Sequence, residues 1–273
     1  MNVHTIAVGD VRLTRVGYAD VALPPEFVGL APNDVARVTW RAPQWADGER
    51  VRVGAAVWFA DVNGERLAFD PFQAADGFLR ADRAAEATNQ RAIAKALADA
   101  GFARESVNRL VMTHIEGVGM VAWRNEDGSW SPFFPNARVL VSDAVLQTFL
   151  AGSRGADDDI QYDAWHALVD QGVVDTFEDG DSIADALVAD VRGAHCPGHA
   201  LLHFGDATAT MIGHLAVSPL HLVTGECSQL QAEPAAAWDL LRKTAEDGRI
   251  LIGPLWPSPG YGRWRNDTLV SGE

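Results

Sequence analysis

Residues 110–119 read LVMTHIEGVG, a short apolar run that ends in a polar cluster. An apolar run of this length predicts a buried strand, and the end of a strand is where a rigid scaffold presents functional side chains. Residues i and i+2 of an extended segment point the same way, so His114 and Glu116 can face one point in space. Histidines also follow predicted strands at residues 195–199, HCPGH, and at residues 213–214, GH. These three strand ends are the candidate functional site.

The histidines by themselves leave two interpretations open. A lone histidine is more often a hydrogen-bonded structural residue than a ligand, although its recurrence at three strand ends favours a shared role. Pro197 and Gly198 argue against a helix between His195 and His199, which excludes the helical two-histidine zinc motif. Chemistry therefore cannot be assigned from the spacing alone.

The composition limits the classes of function. Of the 273 residues, 48% are apolar and 22% are charged, which is typical of globular chains. Acidic residues outnumber basic ones 37 to 22, for a formal net charge of −15. The sequence has no block of Lys and Arg residues that could neutralise phosphates, so nucleic acid is a poor candidate for a partner. It also has no apolar run near the ~20 residues that a membrane span needs, so a membrane is a poor candidate too. Two cysteines, Cys196 and Cys227, make no disulfide framework, which predicts a reducing, cytoplasmic compartment.

Strand and helix signals alternate along the chain without a linker or an internal repeat, which predicts one α/β domain over residues 1–273. Asn63-Gly64 and Gly205-Asp206 are typical of two-residue hairpin turns, while Ser142 and Pro234 are typical of helix starts. The predicted strands lie within residues 51–70, 109–113, 137–141, 186–191, 200–204, 207–212 and 249–253. The predicted helices cover residues 82–100, 142–149, 162–171 and 234–248.

The histidine segments resemble those of the metallo-β-lactamase superfamily. Residues 110–119 are similar to a remnant of its signature T-H-x-H-x-D-H, residues 195–199 to its H-T-P-G-H, and residues 212–220 to its G-D-x-x-H-S-P-L. FPNA at residues 134–137 and the terminal segment 234–261 match in the same order. The resemblance, closest to the lactonase and organophosphate-hydrolase branch, extends over nearly the whole chain.

The resemblance implies the metallo-β-lactamase fold, an αβ/βα sandwich of four layers with the site at one edge of two sheets. Members of the family usually hold two metal ions. Carried over residue by residue, the first metal site falls on His114, Glu116 and His199, with His214 in place of the aspartate that bridges both ions. The remaining second-site positions carry side chains that cannot ligate a metal: Val118, Gly119 and Leu255.

This pattern predicts a single divalent ion bound by His114, Glu116, His199 and His214, with zinc as the first expectation and iron or manganese as the next. The alternative is a protein without a metal, in which Glu116 and His214 act as acid and base. The resemblance also implies supporting or pocket-lining roles for Asp70, His195 and His221. Two further residues are expected near the site from their positions in the sequence: Cys196 beside the histidines, and Trp256 as one of several aromatic residues in the neighbouring loops.

The expected function is hydrolysis of an ester or lactone-type bond in a small, partly apolar organic molecule. Loss of the signature aspartate, which in the family orients the attacking water, keeps other activities open. These are a lyase, isomerase or cyclase reaction, and ligand binding without catalysis. A small molecule is the expected partner, and the sequence leaves a homo-oligomer open.

Overall fold

The computed structural model describes residues 1–41, 43–72, 83–115, 120–152, 160–225 and 231–271. Two large β-sheets face each other, and helices cover their outer faces. Among the described residues no helix is long and apolar enough to cross a membrane.

The first sheet has the strand order β1-β2-β4-β5-β6-β9-β10, with β3 paired to β4, and a separate hairpin is formed by β7 and β8. The strands are β1 (Asn2–Val8), β2 (Val11–Leu23), β3 (Ala46–Asp47), β4 (Arg50–Val62), β5 (Glu65–Phe69), β6 (Arg109–Val111), β7 (Ala122–Arg124), β8 (Trp130–Pro132), β9 (Arg138–Ser142) and β10 (Val174–Phe177). The first half of this sheet is antiparallel, whereas β5, β6, β9 and β10 run parallel.

The second sheet follows chain order, from β11 to β17. Its strands are β11 (Ser182–Ala184), β12 (Leu187–Val191), β13 (Ala200–Phe204), β14 (Ala209–Met211), β15 (Ile250–Ile252), β16 (Tyr261–Arg265) and β17 (Thr268–Val270). Neighbouring strands are antiparallel except β14 and β15, which are parallel and therefore need the long connection that contains a helix.

Six α-helices and three 3-10 turns complete the described chain. The α-helices are α1 (Pro32–Arg37), α2 (Arg83–Asp99), α3 (Asp143–Ala151), α4 (Ile160–Asp170), α5 (His221–Thr224) and α6 (Pro234–Glu246). The 3-10 turns are Pro25–Val28, Arg104–Ser106 and Gly213–Leu215.

The burial pattern explains the four layers. Along β13, Leu202 and Phe204 pack into the core between the two sheets, whereas Leu201 packs into the core beneath α6. On the other side of the molecule, Trp165 of α4 packs with Phe59 against the outer face of the first sheet. Strands that are buried on both faces read as continuous apolar runs, which is why individual strands could be predicted from the sequence. The αβ/βα sandwich implied by the family resemblance is the architecture observed.

Most predicted elements occur close to their expected places. Helix α2 is followed by Gly101 with a φ of 87°, the left-handed conformation typical of a residue just after a helix. The predicted two-residue turn at Gly205-Asp206 is instead a four-residue loop, residues 205–208, because Ala207 also adopts a positive φ of 62°. Nine of the described strands were not predicted from the sequence: β1, β2, β3, β7, β8, β10, β11, β16 and β17.

Candidate metal centre

Three loops bring the candidate histidines to one end of the sandwich. His114 follows β6, His195 lies in the loop between β12 and β13, and His214 follows β14. A backbone hydrogen bond from Ala200 N to the carbonyl of Thr113, 2.9 Å long, joins the first two loops across the sheets. The end of the sandwich that carries these histidines is therefore held together by main-chain hydrogen bonding as well as by side chains.

The structure gathers His114, His195 and His214 into one cluster. One ring nitrogen of each lies within 4.8 Å of the others. The ring centroids of His114 lie 4.7 Å from those of both partners, and the third pair is 5.8 Å apart. His114 and His214 are buried, while His195 is half-buried. Nitrogen ligands of zinc that share one ion lie roughly 3.4 Å apart. Ring nitrogens that lie up to 4.8 Å apart would therefore have to move closer together to share one ion.

A chain of hydrogen bonds orients the His114 ring. Asp70 accepts bonds from the backbone nitrogen of Thr113 at 2.8 Å and from its hydroxyl at 2.7 Å. The same hydroxyl lies 2.9 Å from Nδ1 of His114. Since its one proton goes to the carboxylate, the hydroxyl must accept from Nδ1–H, which leaves the lone pair of the ring on Nε2. Asp70, which was expected to support the site, contacts the His114 segment through its two hydrogen bonds with Thr113.

His199 occupies a different position from His195. It is completely buried, with its ring centroid 5.4 Å from those of His114 and His195. A Cβ atom added to Gly213 would lie 2.5 Å from Nε2 of His199, so this ring packs directly against the backbone of residue 213. The ligand set expected from the sequence contained His199, whereas the cluster in the structure contains His195, which was expected only to support the site.

The other expected site residues have varied placements. Glu116, Val118 and Gly119 lie outside the described residues. Cys196 is half-buried against an apolar core, and His221 is a buried residue at the start of α5. Neither belongs to the cluster of ring nitrogens described above.

Trp256 is a core residue that supports the site. It is completely buried, its ring stacks edge-on against Trp45 at 5.9 Å, and its indole Nε1 donates to the carbonyl of Ala216 at 2.9 Å. Ala216 lies two residues after His214, so this bond anchors the segment that carries the third histidine. The position of Trp256 thus fits a supporting role rather than an open pocket wall.

The chain resembles known proteins in its three-dimensional structure. No protein-family model matches the sequence, and no curated protein matches it. Among solved structures, the chain is similar to the hydrolase AbOPH of the β-lactamase superfamily, with a TM-score of 0.73 at 17% identity over 98% of this chain and 95% of that one. It is similar to the dizinc quorum-quenching lactonase AidC, with a TM-score of 0.74 at 13% identity over 98% and 96%. A probable metal-dependent hydrolase from Staphylococcus aureus gives 0.67 at 13% identity over 97% and 100%.

The chain has the metallo-β-lactamase fold. Within this fold the resemblance in sequence places a second-site histidine at position 255, where this chain has Leu255. That residue is buried in an apolar core cluster of the molecule. The described residues therefore include a histidine cluster, and position 255 carries a side chain that cannot ligate.

Replacing Thr113 with valine is expected to lower the free energy of unfolding by about 1–3 kcal/mol, because Asp70 and His114 each lose a buried hydrogen-bond partner. Urea denaturation measures the change. Thr244→Val is the matched control, since it removes a buried hydroxyl that bonds only its own helix, at the carbonyl of Leu240. Equal losses in the two variants would contradict the orienting role of Thr113.

Proposed function

We propose that this protein is a metal-dependent hydrolase that binds one divalent ion through His114, His195 and His214. The observation that carries the proposal is the approach of their ring nitrogens to within 4.8 Å of one another in a largely buried cluster. Zinc is the first candidate, because three histidines with an open fourth position are a common zinc set in enzymes. Iron and manganese accept similar donors.

The donor set supports one ion rather than two. All three side chains are neutral imidazoles when they ligate, and the orientation of His114 leaves its Nε2 lone pair for a metal. Leu255 and its apolar surroundings offer no ligand at the position expected for the second ion. The proposal therefore differs from the dizinc lactonase AidC, which the chain resembles in fold.

The bound ion would polarise a carbonyl oxygen and lower the pKa of water beside it, which are the two requirements of hydrolysis. The residues of the chain supply the rest. The three rings hold the centre, Asp70 and Thr113 keep the His114 ring in one orientation, and burial of His114 and His214 limits access of bulk water. Preorganised ligands of this kind need no rearrangement during the reaction.

We propose a small organic ester or lactone as the substrate class. The support is the likeness in fold to hydrolases and lactonases. The cytoplasm is the proposed compartment, on the ground that the two cysteines make no disulfide framework.

The metal content of protein purified without added metal tests the proposal. We expect about one equivalent of a transition metal by elemental analysis, and less than ~0.2 equivalents would contradict it. Removal of the ion is expected to lower the hydrolysis of chromogenic esters and lactones by ~10³-fold or more, with recovery on adding zinc. Full activity in the stripped protein would favour the metal-free alternative, in which Glu116 and His214 act as acid and base.

A further inference from the structure

Gln231 joins two of the three histidine segments through its side-chain amide. Residue 231 lies just before α6 and is buried, with 5% of its surface exposed. Its Oε1 lies 2.9 Å from Nδ1 of His195, and its Nε2 donates to the backbone carbonyl of His214 at 3.0 Å. One planar group therefore contacts both the ring of one clustered histidine and the main chain of another.

These two bonds determine which nitrogen of a neutral His195 ring carries the proton. The carbonyl of His214 can only accept, so the nitrogen of the Gln231 amide must face it and the oxygen must face His195. That oxygen also only accepts, so Nδ1 of His195 must carry the proton and the lone pair lies on Nε2. Because a backbone carbonyl fixes the amide orientation, the conclusion does not depend on how the amide atoms were assigned.

Main-chain bonds hold the amide in this place. Ala232 N donates to the carbonyl of His195 at 2.8 Å, and Glu233 N donates to the carbonyl of Ala194 at 3.2 Å. Residues 231–233 therefore run beside residues 194–195. These main-chain bonds hold the amide of Gln231 next to the ring of His195.

We propose that Gln231 is a positioning residue of the metal centre. It holds His195 in the tautomer whose Nε2 can ligate, and it fixes the distance between the His195 ring and the His214 segment. This inference rests on the proposed metal site. Gln231 orients the His195 ring as Asp70 and Thr113 orient the His114 ring. Partners of this kind typically change metal affinity 10–100-fold, so about that loss is expected when the amide is removed.

The test compares three variants of the full chain with wild type. Gln231→Met removes both hydrogen bonds at nearly constant length, and Gln231→Glu keeps the acceptor that faces His195. Gln90→Met is the matched control, because Gln90 is equally buried and its amide also bridges two groups, the carbonyl of Ala122 and the nitrogen of Arg124. The readouts are the zinc dissociation constant from chelator competition and the nitrogen NMR signature of the His195 ring in zinc-free protein.

We expect Gln231→Met to bind zinc about 10–100-fold more weakly and to show a mixture of His195 tautomers. Gln231→Glu should keep the wild-type tautomer, and Gln90→Met should keep both the tautomer and the affinity. Wild-type affinity and tautomer in Gln231→Met, or an equal loss of affinity in Gln90→Met, would overturn the inference. If wild-type protein binds no zinc, both the proposed function and the role of Gln231 are wrong. If wild type binds zinc and Gln231→Met binds it equally well, only the role of Gln231 is wrong.

Discussion

Replacing His195 with alanine is expected to weaken zinc binding at least ~100-fold and to lower the proposed hydrolysis by ~10³-fold or more, since it removes one of three ligands. Replacing His199 with alanine is expected to weaken zinc binding less than replacing His195 does, because His199 lies beside the cluster and not in it. The reason is geometric: the ring nitrogens of His195 approach those of His114 and His214, whereas His199 is buried against the backbone of Gly213.

Chelator competition on both variants measures this difference, and urea denaturation serves as the control for folding. His199→Ala should lose stability, because it leaves a cavity in place of a completely buried ring. His199→Gln provides a second variant in case the alanine variant does not fold. If His199→Ala abolishes zinc binding and His195→Ala retains it, the ligand set expected from the sequence is correct and the set proposed from the structure is wrong.

The contrast between these two histidines shows where sequence reasoning ends. The motif at residues 195–199 predicted a functional loop because it follows a strand and resembles H-T-P-G-H. The resemblance assigned the ligand role to His199 and a supporting role to His195, but the orientation of each ring depends on the path of the loop. That path turns at Gly193 and Gly198, with φ of 70° and 82°, and such backbone angles are set by the packing around the loop.

Supporting residues were predictable only where a family pattern marks them. Asp70 was expected beside the site from its resemblance, and the structure places it on Thr113. Gln231 carried no signal, because it lies 36 residues from His195 and meets it only after α6 has packed on the second sheet. A polar residue before a helix start is common, so its role depends on tertiary contacts that no local pattern encodes.

Continuous apolar runs marked buried strands such as β13, whereas the αβ/βα fold was expected from the resemblance of the histidine segments to a family. β1 was missed because its pattern differs from such a run. β1 alternates between half-buried and exposed positions at the edge of its sheet, and residues such as His4 and Thr5 break the apolar pattern. Edge strands are weakly marked in sequence because only one side is paired and covered.

Replacing Gly198 with alanine is expected to lower the free energy of unfolding by more than ~3 kcal/mol, or roughly 6–12 °C in Tm for a chain of this size. Gly198 has a φ of 82°, and an added Cβ would lie 2.8 Å from the backbone carbon of Ala144 and closer still to the nitrogen of Val145. These atoms belong to the first turn of α3. The turn cannot retreat easily, because Ser142 accepts from the nitrogen of Val145 and donates to the carbonyl of Gly198 at 2.5 Å.

Comparing the thermal unfolding of Gly198→Ala and Gly248→Ala separates the cost of a left-handed backbone conformation from the cost of a steric clash with α3. Gly248 has a similar φ of 72°, but nothing lies within 4 Å of an added Cβ there, so its variant should lose only about 1 kcal/mol from the left-handed backbone. The excess loss at Gly198 then measures the contact between the histidine loop and α3. Equal losses in the two variants would mean that the loop can move away from the helix, and that the rigid placement of His195 comes from its bonds with residues 231–233.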